Sequence, residues 1–242
     1  MKIKNENNIC IITGGAGGIG YHLSEGFCQK GYKVVVLDIK KHNELSLDID
    51  FIQVDLRSET EIKNSFSKIA EKYGNAHILI NNAAISTFHK NIEDISIDEF
   101  DDVINVNLRG SFICCKEFIK INKGETYGRI INIASTRWNQ NESNWEAYGA
   151  SKGGLVSLTN TLAVSLTKTP ITVNAISPGW IQVDNYDTLT ATDHSQHPSG
   201  RVGTPRDILN ACLFLSNIEN DFINAANIII DGGMSKKMIY ND

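Results

Sequence analysis

The sequence predicts an α/β fold, a Rossmann-like, doubly wound, seven-stranded parallel sheet with helices on both faces. Short β-branched runs that are apolar on both faces alternate with helical segments along the chain. A glycine-rich run follows the first apolar run, where such folds turn from a strand into a helix. The chain has only 4 prolines and no repeat or low-complexity tract. We therefore expect one domain over 1–242.

Each predicted element follows from its local pattern. The strands are Asn8–Thr13, Lys33–Asp38, Ile52–Asp55, His77–Asn81, Arg129–Ala134, Thr172–Ile176 and Asn227–Ile230. The helices between them are predicted at 17–30, 58–73, 97–121, 146–168 and 205–217. For the last helix, Thr204 is the expected N-cap and Pro205 the first helical residue. Because the strands are predicted to be parallel, ligands should bind at their carboxyl ends.

Composition and charge narrow the classes of function. The 242 residues are 41% hydrophobic and 21% charged, which is typical of a globular protein with a substantial core. A formal net charge of −5 argues against a nucleic-acid partner, which requires a basic face. No apolar run reaches the roughly 18 residues that span a bilayer. The polar residues 1–8 do not resemble a signal peptide, and the five cysteines include no C-x-x-C pair. These features predict a cytoplasmic location, reduced thiols and no membrane partner.

A glycine-rich run, Thr13-Gly14-Gly15-Ala16-Gly17-Gly18-Ile19-Gly20, follows the first strand and matches both G-x-G-x-x-G and T-G-x-x-x-G-x-G. Glycines let the backbone turn sharply and approach a pyrophosphate at the helix N-terminus. Asp38 ends the second strand 20 residues after Gly18. A carboxylate there accepts hydrogen bonds from the adenosine ribose and repels a 2′-phosphate. The pattern favours NAD over NADP, while the nearby Lys40 and Lys41 leave NADP open.

A second group of residues indicates acid–base chemistry. Tyr148 and Lys152 are spaced i, i+4 and share one helix face. A free tyrosine titrates near pH 10, and a neighbouring ammonium favours the phenolate and lowers that pKa. Ser135 follows the fifth strand, 13 residues before Tyr148, and Asn107 lies in the long helix before that strand.

Two further motifs complete a pattern, Asn81-Asn82-Ala83-Ala84 after the fourth strand and Pro178-Gly179-Trp180-Ile181 after the sixth. With these residues, the chain resembles the short-chain dehydrogenase/reductase family from Thr13 to Asp231-Gly232-Gly233. It is similar to the compact single-domain branch, since it has no room for the larger substrate domain of the extended branch. The spacing of Tyr148 and Lys152 departs from the enoyl-reductase branch.

The resemblance implies a catalytic set of Asn107, Ser135, Tyr148 and Lys152. In that family pattern Tyr148 exchanges a proton with the substrate oxygen, which Ser135 hydrogen-bonds. Lys152 holds the nicotinamide ribose and lowers the pKa of Tyr148, and Asn107 holds a water that relays protons. The implied cofactor-binding residues are Gly14, Gly18, Ile19, Gly20, Asp38, Asp55, Leu56, Asn82, Ala83, Tyr148, Lys152, Pro178, Gly179 and Ile181. The family also implies a homotetramer built partly from the helices at 97–121 and 146–168.

Three positions depart from the family pattern. Ala84 replaces a glycine and Ala134 replaces a frequent serine, and both changes are small. Val183 replaces a threonine that hydrogen-bonds the nicotinamide carboxamide in many members. The loss of that threonine is expected to weaken NAD binding or to alter the ring orientation. All four catalytic positions are filled, which predicts an active enzyme.

Two polar segments, 136–147 and Gln182–Arg201, are expected to line the substrate pocket. The resemblance implies that the single domain over 1–242 is a dinucleotide-binding catalytic domain with a substrate lid at about 182–204. The expected substrate contacts are Ser135, Arg137, Trp138, Trp145 and Tyr148. This composition favours a small polyhydroxylated substrate, a sugar or polyol, over a sterol or long acyl chain. The alternative is that these side chains face solvent or a neighbouring subunit. The spacing of His194 and His197 permits a metal site, but no third ligand is evident, so no metal is expected.

The resemblance therefore predicts an NAD-dependent oxidoreductase that interconverts a secondary alcohol and a ketone, as a homo-oligomer. Two alternatives stay open. One is a non-catalytic NAD-binding sensor, which the fold alone would permit but which does not need all four catalytic residues. The other is an NADP-preferring carbonyl reductase that uses Lys40 or Lys41 for the 2′-phosphate.

Overall fold

The computed structural model describes residues 8–41, 45–87 and 89–238. Residues 1–7, on which most of the signal-peptide expectation rests, lie outside the described residues. Seven strands form one sheet: β1 (Ile9–Thr13), β2 (Lys33–Asp38), β3 (Asp50–Gln53), β4 (Ile78–Asn81), β5 (Gly128–Ile133), β6 (Ile171–Pro178) and β7 (Asn227–Ile230). Their order is β3-β2-β1-β4-β5-β6-β7, and all neighbours pair in parallel. The predicted fold class is confirmed.

The helices are α1 (Gly18–Gln29), α2 (Glu59–Tyr73), α3 (Ile97–Ile104), α4 (Ser111–Ile121), α5 (Glu146–Ser165), α6 (Ala191–Ser195) and α7 (Pro205–Leu215). A π-helical segment, Asn105–Gly110, joins α3 to α4. The capping prediction for α7 is confirmed, since Thr204 is the N-cap and its backbone N–H donates to the Asp207 carboxylate at 2.8 Å. No helix among the described residues is long and apolar enough to cross a membrane.

Two cores flank the sheet, because alternate residues of each central strand face opposite sides. From β1, Ile9 and Ile11 belong to one core, with residues of α2, α4 and α5. Cys10 and Ile12 belong to the other, with residues of α1 and α7. This arrangement confirms helices on both faces of the sheet.

Most element ends differ from prediction by one to three residues. Three differences have a structural reason. Strand β3 lies two residues earlier than 52–55, because it is an edge strand on which Asp50 and Gln53 remain partly or fully exposed. The helix predicted over 97–121 contains the π-helical segment, where Gly110 packs so closely that a Cβ would lie 2.9 Å from the Leu56 carbonyl oxygen. Helix α6 is five residues long, too short for a periodic pattern to predict.

Candidate active site

A cavity of about 590 Å³ crosses the carboxyl ends of the strands, from β3 at one side to β6 at the other. The implied cofactor-binding residues that line it are Gly14, Gly18, Ile19, Asp38, Asp55, Leu56, Asn82, Ala83, Tyr148, Lys152, Pro178, Gly179 and Ile181. Ser135 also lines it, whereas Gly20 and Asn107 lie outside its wall. The structure thus brings together residues that the sequence separates by more than a hundred positions.

The glycine-rich turn is packed where the sequence motif requires small residues. Gly14 has φ of +61°, and a Cβ there would lie 2.7 Å from the Ala83 Cα atom. A Cβ on Gly20 would lie 1.9 Å from the Gly14 carbonyl oxygen. A Cβ added to Gly17 or Gly18, by contrast, would have no atom within 4 Å apart from those of the adjacent residues and the local helix backbone. The open side of the turn is the N-terminus of α1, which has no side-chain cap and suits a pyrophosphate.

The turn after β1 is held to the segment after β4. The Thr13 hydroxyl accepts hydrogen bonds from the backbone N–H groups of Asn82 at 3.0 Å and Ala83 at 3.1 Å. In return, the Asn82 side-chain amide donates to the Gly14 carbonyl oxygen at 3.0 Å. These bonds fix the floor of the cavity between the two strands.

The carboxylate at the end of β2 faces the same turn. Asp38 Oδ2 accepts a hydrogen bond from the backbone N–H of Ala16 at 3.0 Å. Asp38 and its neighbour Ile39 line the cavity, whereas Lys40 and Lys41 are exposed and are not among the lining residues. This end of the cavity therefore offers acceptors suited to ribose hydroxyls.

Three potentially reactive side chains meet at the other end. Ser135 Oγ accepts the backbone N–H of Arg137 at 3.2 Å, which leaves the hydroxyl proton free for another acceptor. Burial raises the pKa of Tyr148, while a hydrogen bond with Ser135 and the charge of Arg137 oppose that rise. Lys152 is only 2% exposed, its Nζ donates to the Ile133 carbonyl oxygen at 2.7 Å, and burial lowers its pKa to about 8.

The expected lowering of the pKa of Tyr148 by Lys152 is not seen in this structure. The Lys152 Nζ atom lies 5.5 Å from the centre of the Tyr148 ring and is hydrogen-bonded to β5. The pKa of Tyr148 is raised because burial outweighs the neighbouring groups. A lower pKa of Tyr148 in the cofactor-bound protein stays a prediction, because the positive charge of an oxidised nicotinamide would favour the phenolate.

Asn107 is fully buried within the π-helical segment, and the protein uses both of its amide hydrogens. Its Nδ2 donates to the Ile85 carbonyl oxygen at 3.0 Å and to Ser151 Oγ at 3.1 Å, while Oδ1 accepts the Ile85 N–H at 2.7 Å. Ser151 Oγ in turn donates to the Tyr148 carbonyl oxygen at 2.7 Å. Asn107 therefore positions the first turn of α5, and the predicted water relay would have to use its oxygen atoms.

The residues expected to contact substrate are only partly brought together. The Trp145 ring meets the Tyr148 ring edge-on at 5.7 Å between centroids. Arg137 pairs with Glu142 at 2.6 Å, and Trp138 is 37% exposed. None of Arg137, Trp138 and Trp145 lines the cavity, so their roles stay predictions.

The segment predicted as a lid is held by its own side chains. Tyr186 Oη donates to the Val202 carbonyl oxygen at 2.8 Å, and His194 Nδ1 accepts the Val202 N–H at 3.2 Å. His197 is buried beside Trp180. Within the described ranges, no group of three or more potential metal ligands occurs.

Arg57 and Ser151 were missed by the sequence analysis. Ser151 lies inside the Tyr148–Lys152 motif, three residues after Tyr148, where a serine can bond back to a helix carbonyl. Arg57 lines the cavity beside Asp55, and a D-x-R spacing was a local signal for that pair.

The burial of Lys152 makes a prediction about stability. Below pH 8 the folded protein holds a desolvated ammonium, which costs about 3 kcal/mol relative to the unfolded chain. This cost disappears between pH 8 and 10.5, because there the unfolded chain binds the proton more tightly. Lys152→Met should therefore raise the melting temperature at pH 7 relative to wild type, with the difference shrinking toward pH 10.5. Scanning calorimetry across this range is the measurement, and a pH-independent difference would contradict burial as the cause.

Comparison with known proteins finds similarity to oxidoreductases in each case. A family model described as "Enoyl-(Acyl carrier protein) reductase" matches residues 14–235. An uncharacterised oxidoreductase of Thermotoga maritima is 42% identical, covering 98% of this chain and 99% of the relative. A 3-oxoacyl-acyl-carrier-protein reductase of the same organism is 32% identical, covering 96% and 99%.

Solved structures match over nearly the full chain. An apo SCOR enzyme from Clostridium thermocellum is 38% identical with a TM-score of 0.89, covering 97% of this chain and 95% of that one. Thermoplasma acidophilum aldohexose dehydrogenase is 28% identical with a TM-score of 0.90, covering 98% of each chain. A 4-hydroxyisoleucine dehydrogenase complexed with NADH is 32% identical with a TM-score of 0.86, covering 96% and 100%.

Proposed function

The chain belongs to the short-chain dehydrogenase/reductase family of oxidoreductases, and from this we propose that it interconverts a secondary alcohol and a ketone with NAD. The observation that carries the proposal is the meeting of Ser135, Tyr148 and Lys152 at one end of a cavity whose other end presents Asp38. This pairs an acid–base group with a ribose-binding carboxylate across the carboxyl ends of one sheet.

The residues present fit a dinucleotide. Gly14 and Gly20 form a cradle that a Cβ would fill, and the first turn of α1 would hold the pyrophosphate. Asp38 would accept the hydroxyls of one ribose, and the Lys152 ammonium would donate to those of the other. When bound, the nicotinamide supplies the hydride acceptor for oxidation or the hydride donor for reduction.

The protein's own part of the reaction is a proton transfer. In the oxidative direction, Tyr148 Oη takes the proton of the substrate hydroxyl, and Ser135 Oγ, oriented by the Arg137 N–H, holds the same oxygen. The phenolate that this step requires would be favoured by the Lys152 ammonium together with the positive charge of an oxidised nicotinamide. In the reductive direction Tyr148 returns the proton to the forming alcohol.

NAD is supported over NADP by the β2 end of the cavity. Asp38 places a negative charge there, the following residue is the apolar Ile39, and Lys40 and Lys41 do not line the wall. A carboxylate at this position repels a 2′-phosphate. The NADH complex of the 4-hydroxyisoleucine dehydrogenase agrees with this choice.

For the substrate, a small polyhydroxylated compound is the class we favour. The polar segments around the site and the Trp145 ring beside Tyr148 support a sugar or polyol, as does the similarity to an aldohexose dehydrogenase. The similarity to a 3-oxoacyl reductase favours an acyl thioester instead. We further propose one domain with a lid at 182–204 and a homotetramer.

The proposal is tested by absorbance at 340 nm, offering NAD or NADP with sugars, polyols, hydroxy acids, sterols and a 3-oxoacyl thioester with NADH or NADPH. Turnover with NAD and a hydroxylated class is the expected result. Turnover with NADPH and the thioester would overturn both the cofactor and the substrate choice. No turnover across the panel, with NAD binding shown by calorimetry, would favour the sensor or indicate that Val183 weakens the nicotinamide site.

A further inference from the structure

The turn between β3 and α2 places a cation at the adenosine end of the cavity. Arg57 lines this end together with Asp38 and Asp55. Its side chain is 42% exposed, so it lies at the rim rather than in the core. A guanidinium in this position has the geometry and charge to bind a phosphate.

Two carboxylates form ion pairs with the Arg57 guanidinium. Arg57 Nη2 lies 2.7 Å from Asp55 Oδ2, and its Nε donates to both Asp55 oxygens at 3.0 and 3.1 Å. From α3, Asp102 pairs with the opposite edge, with Nη1 at 3.3 and 3.4 Å from its oxygens. Asp55 accepts from Nε and Nη2 on one edge of the guanidinium, and Asp102 accepts from Nη1 on the other edge. No pair of donors is therefore left for a bidentate hydrogen bond to a phosphate.

The backbone of Arg57 is also held. Arg109 Nη1 donates to the Arg57 carbonyl oxygen at 3.2 Å. The Ser58 N–H donates to the Asp55 carbonyl oxygen at 3.0 Å, which closes the turn around Arg57. Because the backbone is fixed by these bonds, the orientation of the Arg57 side chain depends on its two carboxylate partners.

We propose that Asp102, acting through Arg57, is a determinant of cofactor choice, because it withholds the Arg57 guanidinium from the 2′-phosphate of NADP. Asp102 does not line the cavity, so it acts as a positioning residue. The Asp55 and Asp102 carboxylates together outnumber the single Arg57 guanidinium that they share, which disfavours binding of a phosphate to it. The inference rests on the proposed preference for NAD.

The test measures binding, so it needs no substrate. Calorimetry would compare adenosine 2′,5′-bisphosphate with 5′-AMP on the full chain and on Asp102→Asn. We expect the substitution to tighten the bisphosphate about fivefold, because one edge of Arg57 is released and one negative charge is removed. Binding of 5′-AMP should change less than about twofold.

Two controls separate release of Arg57 from loss of charge alone. Asp101→Asn removes the same charge one residue away, from an exposed side chain with no ion pair to Arg57. It should change the bisphosphate affinity less than about twofold. In an Arg57→Met background, Asp102→Asn should not increase the affinity for the bisphosphate. An equal gain from Asp101→Asn, a gain that persists without Arg57, or no gain in Asp102→Asn would each overturn the inference.

The variant Asp38→Ala distinguishes failure of the role proposed for Asp102 from failure of the proposed preference for NAD. If Asp38→Ala tightens the bisphosphate and Asp102→Asn does not, Asp38 selects the cofactor without Asp102. If neither variant tightens it, the preference assigned to Asp38 fails together with the role of Asp102.

Discussion

Tyr148→Phe is expected to lower kcat by about 10²–10⁴, the range found when an acid–base group is removed. Phenylalanine keeps the ring and its contact with Trp145, so the packing of the first turn of α5 should persist. What is lost is the oxygen near the Ser135 hydroxyl that we propose exchanges a proton with the substrate. The measurement is steady-state turnover at 340 nm on the substrate that the screen identifies.

Calorimetry of NAD binding is the companion measurement for Tyr148→Phe. Dissociation constants within about threefold of wild type would show that the cavity is intact, since the tyrosine oxygen contributes at most one hydrogen bond to the cofactor. An unchanged kcat would remove Tyr148 from the mechanism. A large loss of NAD affinity would instead assign the residue a binding role.

Gly20→Ala is expected to reduce the free energy of unfolding by about 3 kcal/mol, at the upper end of the range for overpacking a rigid site. The added methyl group would lie 1.9 Å from the Gly14 carbonyl oxygen and 2.5 Å from the Asn82 side-chain nitrogen. Both atoms belong to the bonded floor of the cavity, so neither can move without breaking contacts. Urea denaturation followed by circular dichroism is the measurement.

Gly17→Ala is the matched control for Gly20→Ala. It lies in the same turn, has an extended backbone with φ of −152°, and its added methyl group would meet no atom within 4 Å apart from those of the adjacent residues and the local helix backbone. Its midpoint in urea should remain close to that of wild type. If both substitutions destabilise the protein equally, glycine flexibility rather than close packing governs the turn.

Local sequence signals predicted the central strands and the glycine-rich turn well. Strand β2 has the predicted bounds, because a buried central strand is a continuous apolar run ended by Asp38. The edge strand β3 was misplaced by two residues, because an exposed edge tolerates polar side chains and weakens that signal.

The parts of the site that sequence could not give depend on contacts between distant segments. Asp102 lies 45 residues from Arg57, and their ion pair follows from the packing of α3 against the turn after β3. The bond between Asn107 and Ser151 spans 44 residues and joins the π-helical segment to α5. Motif spacing reports which residues are present, but not which partner each side chain selects in three dimensions.

The strand order has a consequence for synthesis of the chain on the ribosome. Strand β1 lies inside the sheet, yet one of its two partners, β4, begins only at Ile78. Until β4 emerges, the apolar run Ile9–Thr13 therefore has at least one unpaired edge. Such edges pair readily with other chains, and pairing distant parallel strands is slow. We therefore expect the β4-facing edge of β1 to be open to pairing with other chains until β4 has emerged.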